Sequence, residues 1–168
     1  MKTAIIFGGS GFVGRNLVSK LLKHHFRVKV VTRDKEQASH LKTFAGPEFL
    51  SLQELNYHHF SKLDELLGDI LKGGHVVINL VGLLAEEKRG DFAHYHSKFA
   101  DILSKKCQTL GVEHFVHLSA LKIEKATKSK YAKSKLKAEN FILENFPKAT
   151  ILRPSIIFGK EDNFFNKF

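Results

Sequence analysis

The chain has 168 residues, a size for one domain, and its 43% hydrophobic, 11% aromatic and 26% charged content excludes wholesale disorder and collagen-like repeats. The lone Cys107 excludes a disulfide-stapled miniature, and no apolar run reaches the ~18 residues of a membrane span, so a cytoplasmic protein is expected. The net charge of +10 invites a polyanion, but only five of the 27 basic residues are arginine, which disfavours nucleic acid and leaves loose contact with an acidic partner or anionic bilayer open.

Hydrophobic periodicity places a repeated apolar strand followed by an amphipathic stretch at helical spacing. The first strand is 3–7, and the helix at 12–22 carries Leu17, Val18, Leu21 and Leu22 on one face. A strand at 27–32, a helix at 35–44, a short strand at 48–53 and a helix at 60–71 follow. Gly73-Gly74 breaks the chain before a nearly unbroken apolar strand at 75–81. One long helix spans 92–110 and ends at Gly111, the residue type that closes helices in the left-handed region. Last come a strand at 114–119, a loop, a helix at 130–146 stopped by Pro147, and a strand at 150–153 stopped by Pro154.

Continuous Val/Ile/Leu strands separated by helices predict an α/β fold, a doubly wound parallel sheet of six strands, because parallel strands need helical crossovers. Right-handed crossovers then leave a crevice at the carboxyl ends of the first and fourth strands, where the winding reverses.

Immediately after the first strand stands Gly8-Gly9-Ser10-Gly11-Phe12-Val13-Gly14, a GxxGxxG that opens the first helix. Gly8 permits the tight turn, Gly11 lets backbone approach a pyrophosphate, and Gly14 allows close helix-on-strand packing. No lysine of the nucleoside-triphosphatase type follows it. Thr32 and Arg33 end the second strand, where an acidic residue would bind the ribose diol of NAD. A guanidinium there suits a 2′-phosphate, so NADP(H) is favoured and NAD(H) remains open. Asp34 comes late and could equally cap the next helix.

Tyr131 and Lys135 lie four residues apart, on one face of the last helix. The phenol can act as acid or base at a carbonyl or alcohol if Lys135 lowers its pKa and also holds the nicotinamide ribose. Ten histidines raise the question of metal, but none has partners at zinc spacing, so no metal site is expected.

These residues resemble the short-chain dehydrogenase/reductase superfamily in its extended branch, over essentially the whole chain, with its Rossmann fold. Asn79-Leu80-Val81-Gly82-Leu83-Leu84, Val116-His117-Leu118-Ser119-Ala120-Leu121 and the run from Ile151 to Phe164 look closer to an atypical subgroup. These are the proteins related to the 39-kDa accessory subunit of respiratory complex I, described in bacteria as NAD-dependent epimerase/dehydratase-like. The resemblance implies that Gly8, Ser10, Gly11, Phe12, Val13 and Gly14 hold the pyrophosphate and that Thr32 and Arg33 meet the 2′-phosphate. Asn56 stands in for the aspartate that faces the adenine. Val81 and Gly82 line the riboses, Tyr131 and Lys135 the nicotinamide side, and Pro154 its ring.

Two tetrad positions depart from active relatives. Where a hydroxyl pair ends the fifth strand the chain reads Ser119-Ala120, so Ser119 serves catalysis only if the loop shifts, and His96 replaces the relay asparagine. Relatives continue into a substrate lobe, so the chain is expected to be one truncated domain over 1–168 without it, with Phe164, Phe165 and Phe168 exposed. The implied partners are the dinucleotide and a membrane-associated respiratory complex or a homodimer, with a location in the cytoplasm or peripheral to the inner membrane. An oxidoreductase or epimerase acting through Tyr131 and Lys135 on a carbonyl or sugar-nucleotide is the alternative.

Overall fold

Side chains alternate along each strand, and in β1 (Thr3–Phe7) both faces are apolar. Ile5 and Phe7 join one core with Leu63, Leu67, Phe99, Leu103 and Ile142. Ile6 joins a second with Val18, Val30, Ala38 and Leu41. A strand buried on both faces must lie inside a sheet covered by helices on each side. The computed structural model, which describes residues 1–57, 60–159 and 162, has this arrangement.

Five further strands complete the sheet: β2 (Arg27–Thr32), β3 (Leu50–Glu54), β4 (Val76–Asn79), β5 (His114–Leu118) and β6 (Thr150–Leu152). All pair in parallel, in the order β3-β2-β1-β4-β5-β6. Helix α1 (Phe12–Lys23) covers one face. The other is covered by α2 (Phe60–Leu71), α3 (Phe99–Thr109) and α4 (Lys130–Asn145). Edge-to-face rings lock the second layer, with Phe7 and Phe99 centroids 5.5 Å apart and Tyr57 and Phe99 4.8 Å apart. The winding reverses between β1 and β4, as expected.

Four elements differ from the sequence reading. The helix expected at 35–44 is a 3₁₀ turn at Gln37–Thr43. Its two buried anchors, Ala38 and Leu41, lie three residues apart, the repeat of a 3₁₀ helix. The third strand begins two residues late, at Leu50, because Phe49 and Leu50 donate to Gly46 O in the turn before it. The fourth strand stops at Asn79, whose Oδ1 accepts the Val81 N–H at 3.1 Å and turns the chain. The long helix expected at 92–110 divides into a π-helical turn, Ala93–Lys98, and α3. Gly111 does close α3, at φ +66°.

No helix among the described residues is long and apolar enough to cross a membrane. The His58-His59 pair and Phe164, Phe165 and Phe168 lie outside the described residues.

Candidate functional site

The register pairs Phe7 with Asn79, so the loops leaving β1 and β4 face each other at the carboxyl edge of the sheet. Their separation is set by glycine. Gly8 sits at φ +80°, and a Cβ there would lie 3.1 Å from the Leu80 carbonyl carbon. A Cβ on Gly14 would fall 2.4 Å from Gly8 O, so α1 rests directly on the turn. Gly11 is the N-cap of α1 and makes no side-chain cap, and no acidic residue occupies the first turn. The positive end of the helix is therefore left for an external anion.

Between the loops lies a crevice of about 210 Å³. Gly8, Ser10 and Gly11 from the first loop and Leu80, Val81, Gly82 and Leu83 from the loop after β4 line it. Thr32, Arg33, Tyr57 and Tyr95 line it as well. Ser10 Oγ lies 3.4 Å from Thr32 Oγ1. The exposed Arg33 guanidinium stands 5.9 Å from the centre of the Tyr95 ring, a cation–π placement that holds the charge at the rim. Asp34 takes no part, since its Oδ1 accepts the N–H groups of Glu36 and Gln37 at 2.8 and 3.0 Å. Asn56 is exposed outside the lining, and its neighbour Tyr57 turns inward instead, its phenol pushed up by burial. A larger cavity of about 370 Å³ lies at the opposite edge of the sheet, among Leu22, Phe26, Phe44 and Phe49.

The other end of the site comes from α4. Ser129 caps the helix by accepting the Ala132 N–H at 3.2 Å, which sets Tyr131 in the first turn and Lys135 one turn on. Lys135 is 4% exposed. Its ammonium donates to Leu118 O at 3.0 Å, and a Cβ on Gly82 would sit 3.3 Å from Nζ. Burial lowers the Lys135 pKa to about 8 against the opposing pull of Glu139. The lysine thus lies beneath Gly82 as a positioned cation. Burial pushes the Tyr131 phenol up, and the Lys135 ammonium is engaged with the β5 carbonyl.

His96 links the loop after β4 to α4. Its Nε2 accepts the Leu83 N–H at 2.9 Å, so the proton of the neutral ring is on Nδ1, which donates to Ser134 Oγ at 2.8 Å. Ser134 Oγ in turn donates to Tyr131 O at 2.7 Å. The ring meets Tyr131 edge-on with centroids 5.4 Å apart. Burial first, and Lys135 second, push its pKa down to about 3.

Ser119, Phe12, Val13, Gly14, Pro154, Tyr131 and Lys135 are not part of the crevice lining; Lys135 lies behind Gly82, which is. Ser119 Oγ is buried without a hydrogen-bond partner among the described residues, while its N–H donates to Leu152 O at 2.7 Å. Pro154 O accepts the Leu121 N–H at 2.8 Å. Sequence reasoning missed Tyr57, Tyr95 and Ser134. Ser134 sits inside the Tyr-x-x-x-Lys spacing and could have been singled out, whereas nothing local marks the tyrosines.

A glycine-walled crevice, an uncapped helix N-terminus and a cation at the end of β2 fit a nicotinamide dinucleotide, and together with the sheet order they define a dinucleotide-binding α/β domain. A sequence profile of the family described as NAD(P)H-binding matches residues 8–163, and the chain belongs to that family. It is 32% identical over 167 residues to NADH dehydrogenase (ubiquinone) 1 alpha subcomplex subunit 9, mitochondrial, of Mus musculus, covering 98% of this chain and 43% of that protein. The chain thus spans less than half the length of the curated relatives it matches. Among solved structures, a putative NAD-dependent epimerase/dehydratase from Bacillus halodurans superposes with a TM-score of 0.79 at 16% identity, over 97% of this chain and 74% of that one. A UDP-glucuronic acid 4-epimerase from Bacillus cereus, in complex with NAD, gives a TM-score of 0.75 at 18% identity, over 94% and 57%.

Proposed function

We propose that this single domain binds NADP(H) in preference to NAD(H), and that the nucleotide is a structural or sensing component rather than a turning-over cofactor. The observation that carries the reading is Arg33, held over Tyr95 at the crevice rim while Asp34 is committed to capping. Ser10, Gly11 and the first turn of α1 would take the pyrophosphate, Thr32 and Arg33 the 2′-phosphate, and Gly82 with Lys135 beneath it the nicotinamide ribose. A bound nicotinamide ring supplies hydride chemistry. The reading against turnover rests on the protein's own groups: a phenol raised by burial, a lysine turned to Leu118 O, and Ala120 where a second hydroxyl would polarise a substrate. Thermal unfolding tests this. NADPH is expected to raise Tm more than NADH at equal concentration, and Arg33→Ala to remove the difference; no shift with either nucleotide sinks the reading.

The name of the mouse relative, a mitochondrial NADH dehydrogenase (ubiquinone) subunit, supports an NADH dehydrogenase complex as partner. The protein should then comigrate with such a complex on a native gel of solubilised membranes. Migration only at its own mass would argue against the association.

A further inference from the structure

Under the crevice lies a group of polar atoms for which the nucleotide reading has no use. Alternation along β5 points Phe115, His117 and Ser119 to the α3 and α4 side. Phe115 joins the apolar core there. His117 is fully buried, and both its ring nitrogens lack a hydrogen-bond partner among the described residues. Ser119 Oγ shares that condition. Asn79, the register partner of His117 in β4, gives Oδ1 to Val81 N–H and leaves Nδ2 unpartnered. The Lys135 ammonium donates to Leu118 O, the carbonyl between His117 and Ser119. Lys135 also acts electrostatically on the His117 ring, and an ammonium has further N–H groups to place.

Leaving a buried polar atom unpaired is unfavourable, and internal waters commonly make ~3 bonds to such atoms. His96 cannot supply the partner, because Leu83 N–H and Ser134 Oγ already take both its nitrogens.

We propose that Asn79, His117 and Ser119 form an internal hydration site whose water bonds the Lys135 ammonium, making His117, and not His96, the positioning residue for Lys135. The inference rests on the reading of Lys135 as the cation beneath Gly82 that serves the nicotinamide ribose, and deepens it. The groups facing His117 are Asn79 from β4, His96 from the π-helical turn, and Lys135, backed by Glu139, from α4. Burial, then Lys135 and His96, hold the imidazole neutral with a pKa of about 3. A neutral ring offers one acceptor and one donor, the complement of a water that also accepts from an ammonium.

A crystal structure of the full chain at atomic resolution is expected to contain a water within hydrogen-bond distance of a His117 ring nitrogen and Lys135 Nζ. Side-chain NMR titration of Lys135 supplies a readout independent of nucleotide. His117→Leu should shift that titration down by about one pH unit, the worth of one bond to a charged group. His117→Asn, which keeps a donor and an acceptor, should restore most of it. Absence of the water, or a Lys135 titration identical in wild type and His117→Leu, overturns the hydration site. The wild-type crystal structure decides the matter even if His117→Leu fails to fold. Failure of the nucleotide reading would appear separately, as the absence of any Tm shift with NADPH in the wild-type protein.

Discussion

His96 and His117 are both buried and both carry a pKa pushed down to about 3, which turns two side chains into a determinant of acid stability. In the folded chain they stay neutral as pH falls below the unfolded value near 6.5, whereas in the unfolded chain they take up protons. The unfolded state therefore binds more protons in the window from about 6.5 down to 3, and stability falls with falling pH there. Each histidine contributes a slope of up to about 1.4 kcal/mol per pH unit. Denaturant unfolding between pH 7 and 5 should record the decline, and His96→Asn should remove about half of it. A flat profile over that interval would mean that the imidazoles are accessible to protons in the folded state. The reason for the depression is the same in both residues: the ring is withdrawn from water and stands close to the Lys135 ammonium.

Helix α4 is docked to the end of β6 by one ion pair. Glu139 is 1% exposed, and Arg153 Nε donates to its Oε1 at 3.0 Å while a second guanidinium nitrogen meets Oε2. A carboxylate this buried is tolerated because it is paired, so removing the partner should cost more than removing both. Arg153→Met is expected to lower Tm by several degrees at pH 7, and adding Glu139→Gln should recover much of the loss. If the double variant melts no higher than Arg153→Met, the cost lies in packing and not in an uncompensated charge. At this scale the alternation of strands and helices was legible, since apolar periodicity is a local property that survives in any context. The π-helical turn at Ala93–Lys98 was not, because nothing in Ala-His-Tyr-His-Ser-Lys departs from α-helical spacing. Packing against α4 selects it, burying Tyr95, His96 and Ser97 in succession, with Ser97 Oγ donating to Ser134 O at 2.9 Å. Likewise the 35–44 segment carries helix formers, but Asp34 and only two anchors leave it a 3₁₀ turn.

For the whole molecule, the carboxyl edge of the sheet holds the crevice, and several exposed apolar side chains follow the strands there. Leu84 is 85% exposed, and Ile156 and Phe158 are 57% and 71% exposed. Nucleotide binding at this edge acts on the global equilibrium, because the crevice exists only when β1 and β4 are paired. At a concentration of 100 times Kd, NADPH should add about 2.7 kcal/mol of stability, or roughly 5–10 °C in Tm for a domain of this size.

By itself the sequence determined the layered parallel sheet, the glycine turn and the edge at which a ligand would sit. Those follow from periodicity, from backbone freedom at Gly8 and from the close approach that Gly14 allows, which need no knowledge of distant residues. Only the tertiary structure decided which polar groups meet there. His96 finds Ser134 across 38 residues of chain, and His117 and Asn79 become neighbours through strand register. It also decided that the Lys135 ammonium would donate to a β5 carbonyl, Leu118 O. Hydrogen-bond partners of buried side chains are chosen by packing geometry, and that geometry is a property of the assembled layers, not of any segment within them.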